Sequence, residues 1–398
     1  MNNRLLAIGL IAAAIPSLAV ASPVAGIDAL KEWNLIVLGD LTSSSEVEGR
    51  TFVGGNLSGN SSNYQIASVS SSAYAVPGLT VVGNVLGGTK NLNNGSGALI
   101  GGNVASGFNL NGGIQTVKVG GLLSNTNINQ NIVLSGLGVS DPGFVTGLNQ
   151  QKSLLTSSMT DLSNSYAALS ATAQVSISGN RATFNTVAGA NGVGVFNLNA
   201  ADLTRFGEIA FNPNGADTVI VNVHGSTVRL DDNFLNGATG LGQHVIWNFP
   251  DATSLELTTA WKGSILAPKA AATTGNYIEG SAVFGSLIQN GEFHLGTYIG
   301  TYVPGTSNPP SSSGGTGSSG GSPAPVPEPA SMALMAGDWR CSSWRFGGGE
   351  PQSDGVGRDA GNPHKKAGPR LSRTGLLHNG QEDQATSACS TSSGSRST

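Results

Sequence analysis

The fold is decided by the stretch WKGSILAPKAAATTGNYIEGSAVFGSLIQNGEFHLGTYIGTY, residues 261–302. It contains short apolar runs at 264–267, 282–287 and 298–303, separated by corners rich in Gly, Pro, Asn and Thr. Each run is too short for an ordinary helix and too apolar for a loop, so it predicts a brief buried strand that ends in a tight turn. No pair of catalytic groups stands in the stretch at a spacing that demands chemistry. We therefore expect its strands and corners to serve structure.

Upstream, a Gly-Asn motif repeats with a fixed spacing of 19 residues, as Val82-Gly-Asn84-Val85, Gly101-Gly-Asn103-Val104 and Gly120-Gly-Leu122-Leu123. An earlier copy, Gly54-Gly-Asn56-Leu57, precedes a Ser-rich insertion at 58–75. Such a fixed period is typical of a β-solenoid (β-helix), in which coils stack about 4.8 Å apart with glycine at the corners and asparagine side chains bonded along the axis. The alternative is a set of unrelated Gly-Asn hairpin turns in a two-sheet sandwich.

One long amphipathic helix interrupts the strands. Apolar residues recur at helical spacing between Pro142 and Ser176, namely Leu148, Leu155, Met159, Leu162, Tyr166 and Leu169. This stripe predicts a helix at about 147–172 that packs along one side of the solenoid. A coiled-coil partner helix is the alternative. The fold class is thus mainly β, with coils, then a helix, then more coils.

The N-terminus predicts export. Arg4 precedes an apolar run at 5–20, and Ala19 and Ala21 form a small-residue cleavage site. This pattern is typical of a secretory signal peptide at 1–21, with Ser22 as the first mature residue, rather than of a transmembrane or buried N-terminal helix. We expect a protein at the cell surface or outside the cell.

Residues 22–304 form the predicted domain, and a Gly/Ser/Pro linker follows at 305–325. Beyond it, segment 326–337 begins with Val326, Pro327, Glu328 and Pro329, which resembles a PEP-CTERM sorting signal. That resemblance implies exosortase-type machinery and an apolar membrane segment with a basic end. Here the polar tail 338–398 follows instead, so we hypothesise a frameshift near Gly337. An apolar run encoded in another reading frame would support it.

Several motifs resemble those of choice-of-anchor A domains, over about residues 27–303. The motifs are Asn34-Leu-Ile-Val-Leu-Gly-Asp40, Val47-Glu-Gly-Arg-Thr-Phe-Val-Gly-Gly-Asn56, His244-Val-Ile-Trp-Asn-Phe249, Gly263-Ser-Ile-Leu-Ala-Pro268, Ile278-Glu-Gly280 and Glu292-Phe-His294. The resemblance implies an extracellular, adhesin-like module with no demonstrated activity.

The composition excludes several classes of function. Only 11% of the 398 residues are charged and the net charge is −4, so no basic patch suits nucleic acid. Cys341 and Cys389 both lie in the tail, so the domain has neither a disulfide nor a cysteine metal site. We predict no catalytic, cofactor-binding or metal-binding residues.

Two groups of residues could form chemical sites. Glu292 and His294 share one strand face and could bind a metal or transfer protons, but no third ligand is apparent. Asp231, Asp232 and Asn233 could offer oxygen ligands to calcium as a cofactor, but they lack the spaced acidic loop that calcium sites use.

The leading hypothesis is a non-catalytic, adhesin-like or structural module of the envelope, extracellular matrix or biofilm, with glycans or cell surfaces as partners. An enzyme that acts on polysaccharide is an alternative, because β-helices also host such enzymes. Ice binding is another. It would require Thr-x-Thr ladders, whereas Thr258-Thr259 and Thr273-Thr274 are adjacent pairs, so we predict no thermal hysteresis.

Overall fold

The structure, a computed structural model, describes residues 23–305 except 236 and 237. The predicted signal peptide with Ala19 and Ala21, the linker beyond Gly305, the sorting motif at 326–337 and the tail at 338–398 lie outside the described residues.

The described helices are α1 (Ile27–Glu32), α2 (Leu137–Ser140), α3 (Pro142–Ala167), α4 (Ala200–Leu203) and α5 (Leu241–His244). The described strands are β1 (Leu35–Val37), β2 (Leu41–Ser43), β3 (Glu46–Val47), β4 (Thr51–Val53), β5 (Leu57–Gly59), β6 (Ser62–Tyr64), β7 (Leu79–Val81), β8 (Lys90–Leu92), β9 (Ala98–Ile100), β10 (Phe108–Leu110), β11 (Thr116–Val119), β12 (Ile132–Leu134), β13 (Ser176–Ser178), β14 (Arg181–Asn185), β15 (Val193–Asn199), β16 (Glu208–Asn212), β17 (Thr218–His224), β18 (Thr227–Leu230), β19 (Asn233–Phe234), β20 (Val245–Asn248), β21 (Ser254–Leu257), β22 (Trp261–Lys262), β23 (Ser264–Thr274), β24 (Ile278–Glu279), β25 (Ala282–Gln289) and β26 (Phe293–His294).

The strands stack almost entirely in parallel. The repeat strands β7, β9 and β11 pair in register, as do β6, β8 and β10 on another side of the stack. Among the described strands, β13 and β14 form the one antiparallel pair. The mainly β class and the parallel stacking are therefore confirmed, and the sandwich of hairpins is wrong for this part of the chain.

Side chains of the Gly-Asn motif bond along the stacking axis. Asp40 Oδ1 accepts the backbone N–H of Asn56 at 2.7 Å, and Asn56 Oδ1 accepts that of Asn84 at 2.9 Å. Asn84 and Asn103 then accept the backbone N–H of Asn103 and Leu122, each at 2.8 Å. Each asparagine thus satisfies a corner N–H of the next coil, which fixes the spacing between coils.

The glycines of the motif allow the backbones of successive coils to approach closely. A Cβ added to Gly101 would lie 2.2 Å from the carbonyl oxygen of Val82, and one on Gly120 would lie 2.1 Å from that of Gly101. No side chain fits at either position, so the repeat needs glycine here.

Strand order does not follow chain order. The main path of the largest sheet runs β12-β11-β9-β7-β4-β1-β25-β23-β20-β17-β15. Strands β23 and β25 belong to the stretch at 261–302, which we call the closing segment. They therefore lie in the middle of the stack, where β25 pairs with β1 through Leu35 and Ala282. This order arises because the closing segment joins the N-terminal coils to the later ones.

The stack has three sides. The register of β23 and β25 shifts between Ala267 and Ala271, so both strands turn a corner there. Their first halves continue the main path, whose outer surface we call the helix face. The second half of β23 pairs with β21, which pairs in turn with β18. The second half of β25 pairs with β2, which pairs in turn with β5. We call the outer surface of these six strand segments the ladder face. The third face is the outer surface of the sheet β10-β8-β6-β3-β26-β24-β22.

Helix α3 covers the helix face. Leu148, Leu155, Met159, Leu162 and Tyr166 are buried, as their spacing predicts, in one apolar cluster with outward residues of the sheet. The helix begins and ends about five residues earlier than predicted. Proline suits the first position of a helix, so the chain turns helical at Pro142 despite the glycines that follow it.

Buried amides anchor the C-terminal half of α3 to the sheet. Asn248 Nδ2 donates to the Ser163 carbonyl at 2.9 Å, and Ser163 Oγ donates to Asn248 Oδ1 at 2.6 Å. Asn222 Nδ2 donates to the Tyr166 carbonyl at 2.9 Å and to Asn197 Oδ1 at 2.8 Å. Asn222 Oδ1 in turn accepts from Asn248 at 2.8 Å. The network therefore holds the helix in one position.

Replacing Asn248 with alanine should lower the free energy of unfolding by about 2–3 kcal/mol, because Ser163 Oγ and Asn222 Oδ1 would be left buried without these partners. Urea denaturation of the purified protein measures the change. Asn164→Ala on the exposed side of α3 is the matched control and should cost less than about 0.5 kcal/mol. Equal losses in the two variants would contradict the anchoring role.

Candidate binding face

Two of the three faces do not offer a uniform free surface. On the helix face, outward residues such as Ile36, Leu266 and Val283 are fully buried within the cluster that contains α3. The third face mixes charged and aromatic groups, because Lys262 forms an ion pair with Glu279 and the His294 ring stacks on Tyr277. The ladder face is therefore the remaining candidate for a binding surface.

The strands of the ladder face alternate between buried and exposed side chains. In β21, Leu255 and Leu257 are buried while Ser254 and Glu256 are exposed, and β18 and the second half of β23 follow the same pattern. Because successive side chains of a strand point to opposite sides, the exposed ones all stand on the outer surface. Most of them are short.

Parallel register lines these exposed side chains into rows. One row runs along the stack through Arg229, Glu256, Thr273, Ile288, Thr42 and Ser58. Its neighbours stand about 4.8 Å apart, the spacing between paired strands. The Arg229–Glu256 ion pair occupies one end of the row, and a hydrogen bond of 3.2 Å joins the hydroxyls of Thr42 and Ser58 at the other. The middle of the row therefore offers hydroxyl and methyl groups at a regular spacing.

A buried polar network supports the centre of this face. Ser43 Oγ donates to Gln289 Oε1 at 2.8 Å. Gln289 Nε2 then donates to the carbonyls of Glu46 and Gly291, at 2.9 and 3.1 Å. These bonds lock β2 against β25 directly beneath Thr42 and Ile288, so the outer row is held rigidly.

This row is not apparent from the sequence. Thr273-Thr274 is an adjacent pair rather than a Thr-x-Thr ladder, and of the two Thr273 is exposed and Thr274 buried. Thr42 and Thr273 reach the same row only because Ile288 of β25 pairs with both of them. No local spacing could reveal this, because the row depends on long-range strand order.

The three histidines of the described domain have different partners. His294 Nε2 lies 2.9 Å from Glu292 Oε2, and its ring stacks on Tyr277 with 4.5 Å between ring centroids. His224 lies 2.8 Å from an Asp251 oxygen, and His244 Nδ1 lies 2.9 Å from the Asp217 carbonyl. Within residues 23–235 and 238–305, no three His, Cys, Asp or Glu residues are placed to hold one metal ion.

The two aspartates weighed as calcium ligands point in different directions. Asp231 is exposed and forms an ion pair of 2.9 Å with Arg229. Asp232 is 1% exposed, and neither of its carboxylate oxygens has a hydrogen-bond partner in the described part of the protein. Burial, and then the charge of Asp231, raise the pKa of Asp232 to about 7. The two side chains therefore do not converge on one ion.

Residues of the closing segment hold the centre of the stack together. Gly263 has a φ of +119°, and a Cβ there would lie 2.6 Å from the Trp247 ring. Ser264 Oγ donates to the Gly242 carbonyl at 2.7 Å and accepts the Ser281 N–H at 2.9 Å. These contacts give the motif residues a structural role.

Together these observations define a mainly β protein with large parallel sheets and an exposed row of short side chains. Residues 26–295 match the sequence profile of a family described as "Putative Ice-binding-like adhesive domain", and the chain belongs to this family. The family is consistent with an extracellular or surface protein. Among the described residues, no helix is long and apolar enough to cross a membrane.

The comparison with curated proteins gave no match. Among solved structures, the chain is similar to the crystal structure of an ice-binding protein from an Antarctic Flavobacteriaceae bacterium. The identity is 13% and the TM-score 0.24, with 68% of this chain and 82% of that chain covered. The choice-of-anchor A assignment and the PEP-type signal stay predictions.

Protonation of Asp232 should make the stability of the protein depend on pH. The pKa of Asp232 is about 7 in the folded protein and an ordinary 3.8 in the unfolded chain. Between these two pH values the folded protein therefore keeps a proton that the unfolded chain has lost. The free energy of unfolding should therefore fall as the pH rises from about 4 to about 7. Asp232→Asn is neutral throughout, so it should match the wild type near pH 4 and exceed it at pH 8.

Melting temperatures of both proteins across this range measure the difference. Asp161→Asn, at an exposed position on α3, is the control and should follow the wild-type profile closely. An Asp232→Asn variant that is less stable than the wild type at pH 8 would contradict the assignment of a buried, unpartnered carboxyl.

Proposed function

We propose that the domain is a non-catalytic adhesive module, built as a β-solenoid, that binds an extended and regular surface through its ladder face. The observation that carries this proposal is the row of exposed side chains on successive strands, in register and supported from beneath. The family of ice-binding-like adhesive domains supports the same class of function.

The physical basis is the sum of many weak contacts. Thr273, Ile288, Thr42 and Ser58 each offer a small hydroxyl or methyl group at a spacing of about 4.8 Å. Short side chains on a hydrogen-bonded ladder lose little conformational entropy when they bind. A rigid ligand with a matching repeat, such as a crystalline polysaccharide or a glycan-rich cell surface, can therefore contact several positions at once.

Export completes the proposal. We infer that the secretory pathway removes 1–21 and that a sorting signal of the PEP-CTERM type, in the manner of choice-of-anchor A proteins, decides whether the module is displayed or released. Exosortase-type machinery would then be its processing partner, and the envelope or extracellular matrix its site of action.

A bulky side chain on the ladder face should block binding. Thr42→Tyr combined with Thr273→Tyr adds two rings to the exposed row without touching the core, so binding to insoluble polysaccharides and whole cells should fall at least about tenfold. Thr156→Tyr, on the exposed side of α3, is the matched control and should bind like the wild type. Sedimentation of the full protein with each material measures both.

The same assay separates adhesion from catalysis. We expect bound protein to release no soluble sugar over time, with or without calcium. Sugar release that grows with protein concentration would support the polysaccharide-degrading alternative. Binding unaffected by both tyrosines would place the adhesive surface on another face.

Ice is the second candidate ligand, favoured by the hydroxyl and methyl groups of Thr42, Thr273 and Ile288 in one row. The Arg229–Glu256 ion pair at one end limits the uncharged part of the row to a few coils, which is why ice ranks second. If ice is the ligand, the wild type should show thermal hysteresis, and Thr42→Lys with Thr273→Lys should abolish it. A wild type without hysteresis excludes ice and agrees with the expectation from sequence.

A further inference from the structure

An apolar groove lies between the N-terminal half of α3 and the helix face, away from the ladder face. Its volume is about 610 Å³, which is within the range of about 300–1,000 Å³ typical of small-molecule sites. Phe144, Leu148 and Leu154 form the helix side, and the loop around Val76 forms part of the opposite side. The groove is therefore large enough, and apolar enough, to hold a ligand.

The floor of the groove is one row of outward side chains on paired strands. Thr80, Leu99, Lys118 and Leu134 follow one another along this row, and all four line the groove. Towards the centre of the stack the row continues through Phe52, which is fully buried. The exposed fraction of the side chain rises to 41% at Leu134, so the cover over the row opens towards β12, at the end of the stack.

Two hydrogen-bond donors without partners stand along the groove. Lys118 is half-buried in the groove lining, and no ion pair or hydrogen bond of its ammonium group is found in the described part of the chain. Trp33 is 2% exposed, and its indole Nε1 has no acceptor among the described residues. An unpaired cation in apolar surroundings is costly, so Lys118 favours a ligand that supplies an acceptor group at this end of the groove, while the Trp33 ring marks the other end.

The two donors are separated along the row. The Trp33 ring contacts Phe52, with 5.6 Å between centroids, and Lys118 stands three strands further on. At about 4.8 Å per strand, Phe52 and Lys118 are about 14 Å apart, and the Trp33 ring lies beside Phe52. An extended chain advances about 1.2 Å per bond, so roughly twelve bonds cover the distance between them.

We propose that this groove binds a single-chain amphiphile with an anionic head group, such as a free medium-chain fatty acid. The carboxylate pairs with the Lys118 ammonium group, and the acyl chain runs over Leu99 towards Trp33. Asp141 also lines the groove but lies beyond ion-pair distance of Lys118, so it leaves this cation free for the ligand. Gln151 is occupied by two hydrogen bonds to the Val24 backbone and shapes the far end.

Bromine-labelled dodecanoates test both binding and orientation, because bromine quenches tryptophan fluorescence at contact. With the mature protein that begins near Ser22, 12-bromododecanoate should quench saturably and more strongly than 2-bromododecanoate, since its bromine reaches Trp33. Trp33→Phe should remove the difference. Unlabelled dodecanoate should displace the probe, and dodecylamine should displace it at least about tenfold less well.

Two variants separate the head-group contact from the apolar fit. Lys118→Met should weaken dodecanoate binding about tenfold. Lys152→Met, on α3 and outside the groove lining, is the control and should bind dodecanoate like the wild type. Gly147 lines the groove with nothing within 4 Å of an added Cβ, so Gly147→Phe should fill the space and abolish binding without loss of stability. The unchanged melting temperature of Gly147→Phe shows that the lost binding is not unfolding.

Three outcomes would overturn the proposal. They are the absence of saturable quenching, equal displacement by dodecylamine and dodecanoate, and binding unaffected by both Lys118→Met and Gly147→Phe. A protein that retains residues 1–21 and binds no probe, while the mature form does, supports the groove but shows that the apolar run at 5–20 competes for it. None of these outcomes depends on whether the ladder face binds a ligand.

Discussion

The pairing of β25 with β1 is the interaction on which the rest of the structure depends. Backbone hydrogen bonds join the closing segment to the N-terminal coils, with Leu35 opposite Ala282 and Val37 opposite Phe284. Asn34 reinforces the junction, because its Nδ2 donates to the carbonyls of Gly280 and His294, at 2.8 and 3.0 Å. Without this junction the chain would form two separate stacks with open edges, which are prone to wrong pairing.

A single stack gives each side of the molecule a different role. The helix face is sealed by α3 in the centre and opens into a groove at the N-terminal coils. The ladder face presents short side chains at the strand spacing, and the third face carries the charged and aromatic groups around Lys262 and His294. In the proposed function the rigidity of the ladder matters, because it holds the side chains of the exposed row in place before any ligand arrives.

Local sequence patterns predicted the local parts of this structure. The 19-residue repeat of Asn84 and Asn103 predicted parallel coils, because a fixed period requires each coil to resemble its neighbour. The stripe from Leu148 to Tyr166 predicted the helix and its buried face. The helix boundary was misplaced, because Pro142 marked the start more reliably than the last glycine did.

Long-range features could not be predicted in the same way. The row that contains Thr42 and Thr273 and the donor pair of Lys118 and Trp33 each bring together residues from distant coils. Their neighbours depend on which strand lies beside β25, and no spacing along the chain encodes this order. The burial of Asp232 could not be predicted either, since Asp231 and Asp232 are identical neighbours in the sequence, yet one is exposed and the other buried.

The most direct measurement of the central claim is a disulfide cross-link across the junction. In a protein whose Cys341 and Cys389 are replaced by serine, Thr42→Cys and Ile288→Cys stand opposite each other on β2 and β25. Directly paired strands bring Cα atoms within the range of about 4.4–6.8 Å that a disulfide needs, so mild oxidation should link the pair within one molecule. Thr42→Cys with Thr273→Cys, two strands apart, should stay reduced. A cross-link in the second pair but not in the first would contradict the placement of β25 between β23 and the N-terminal coils.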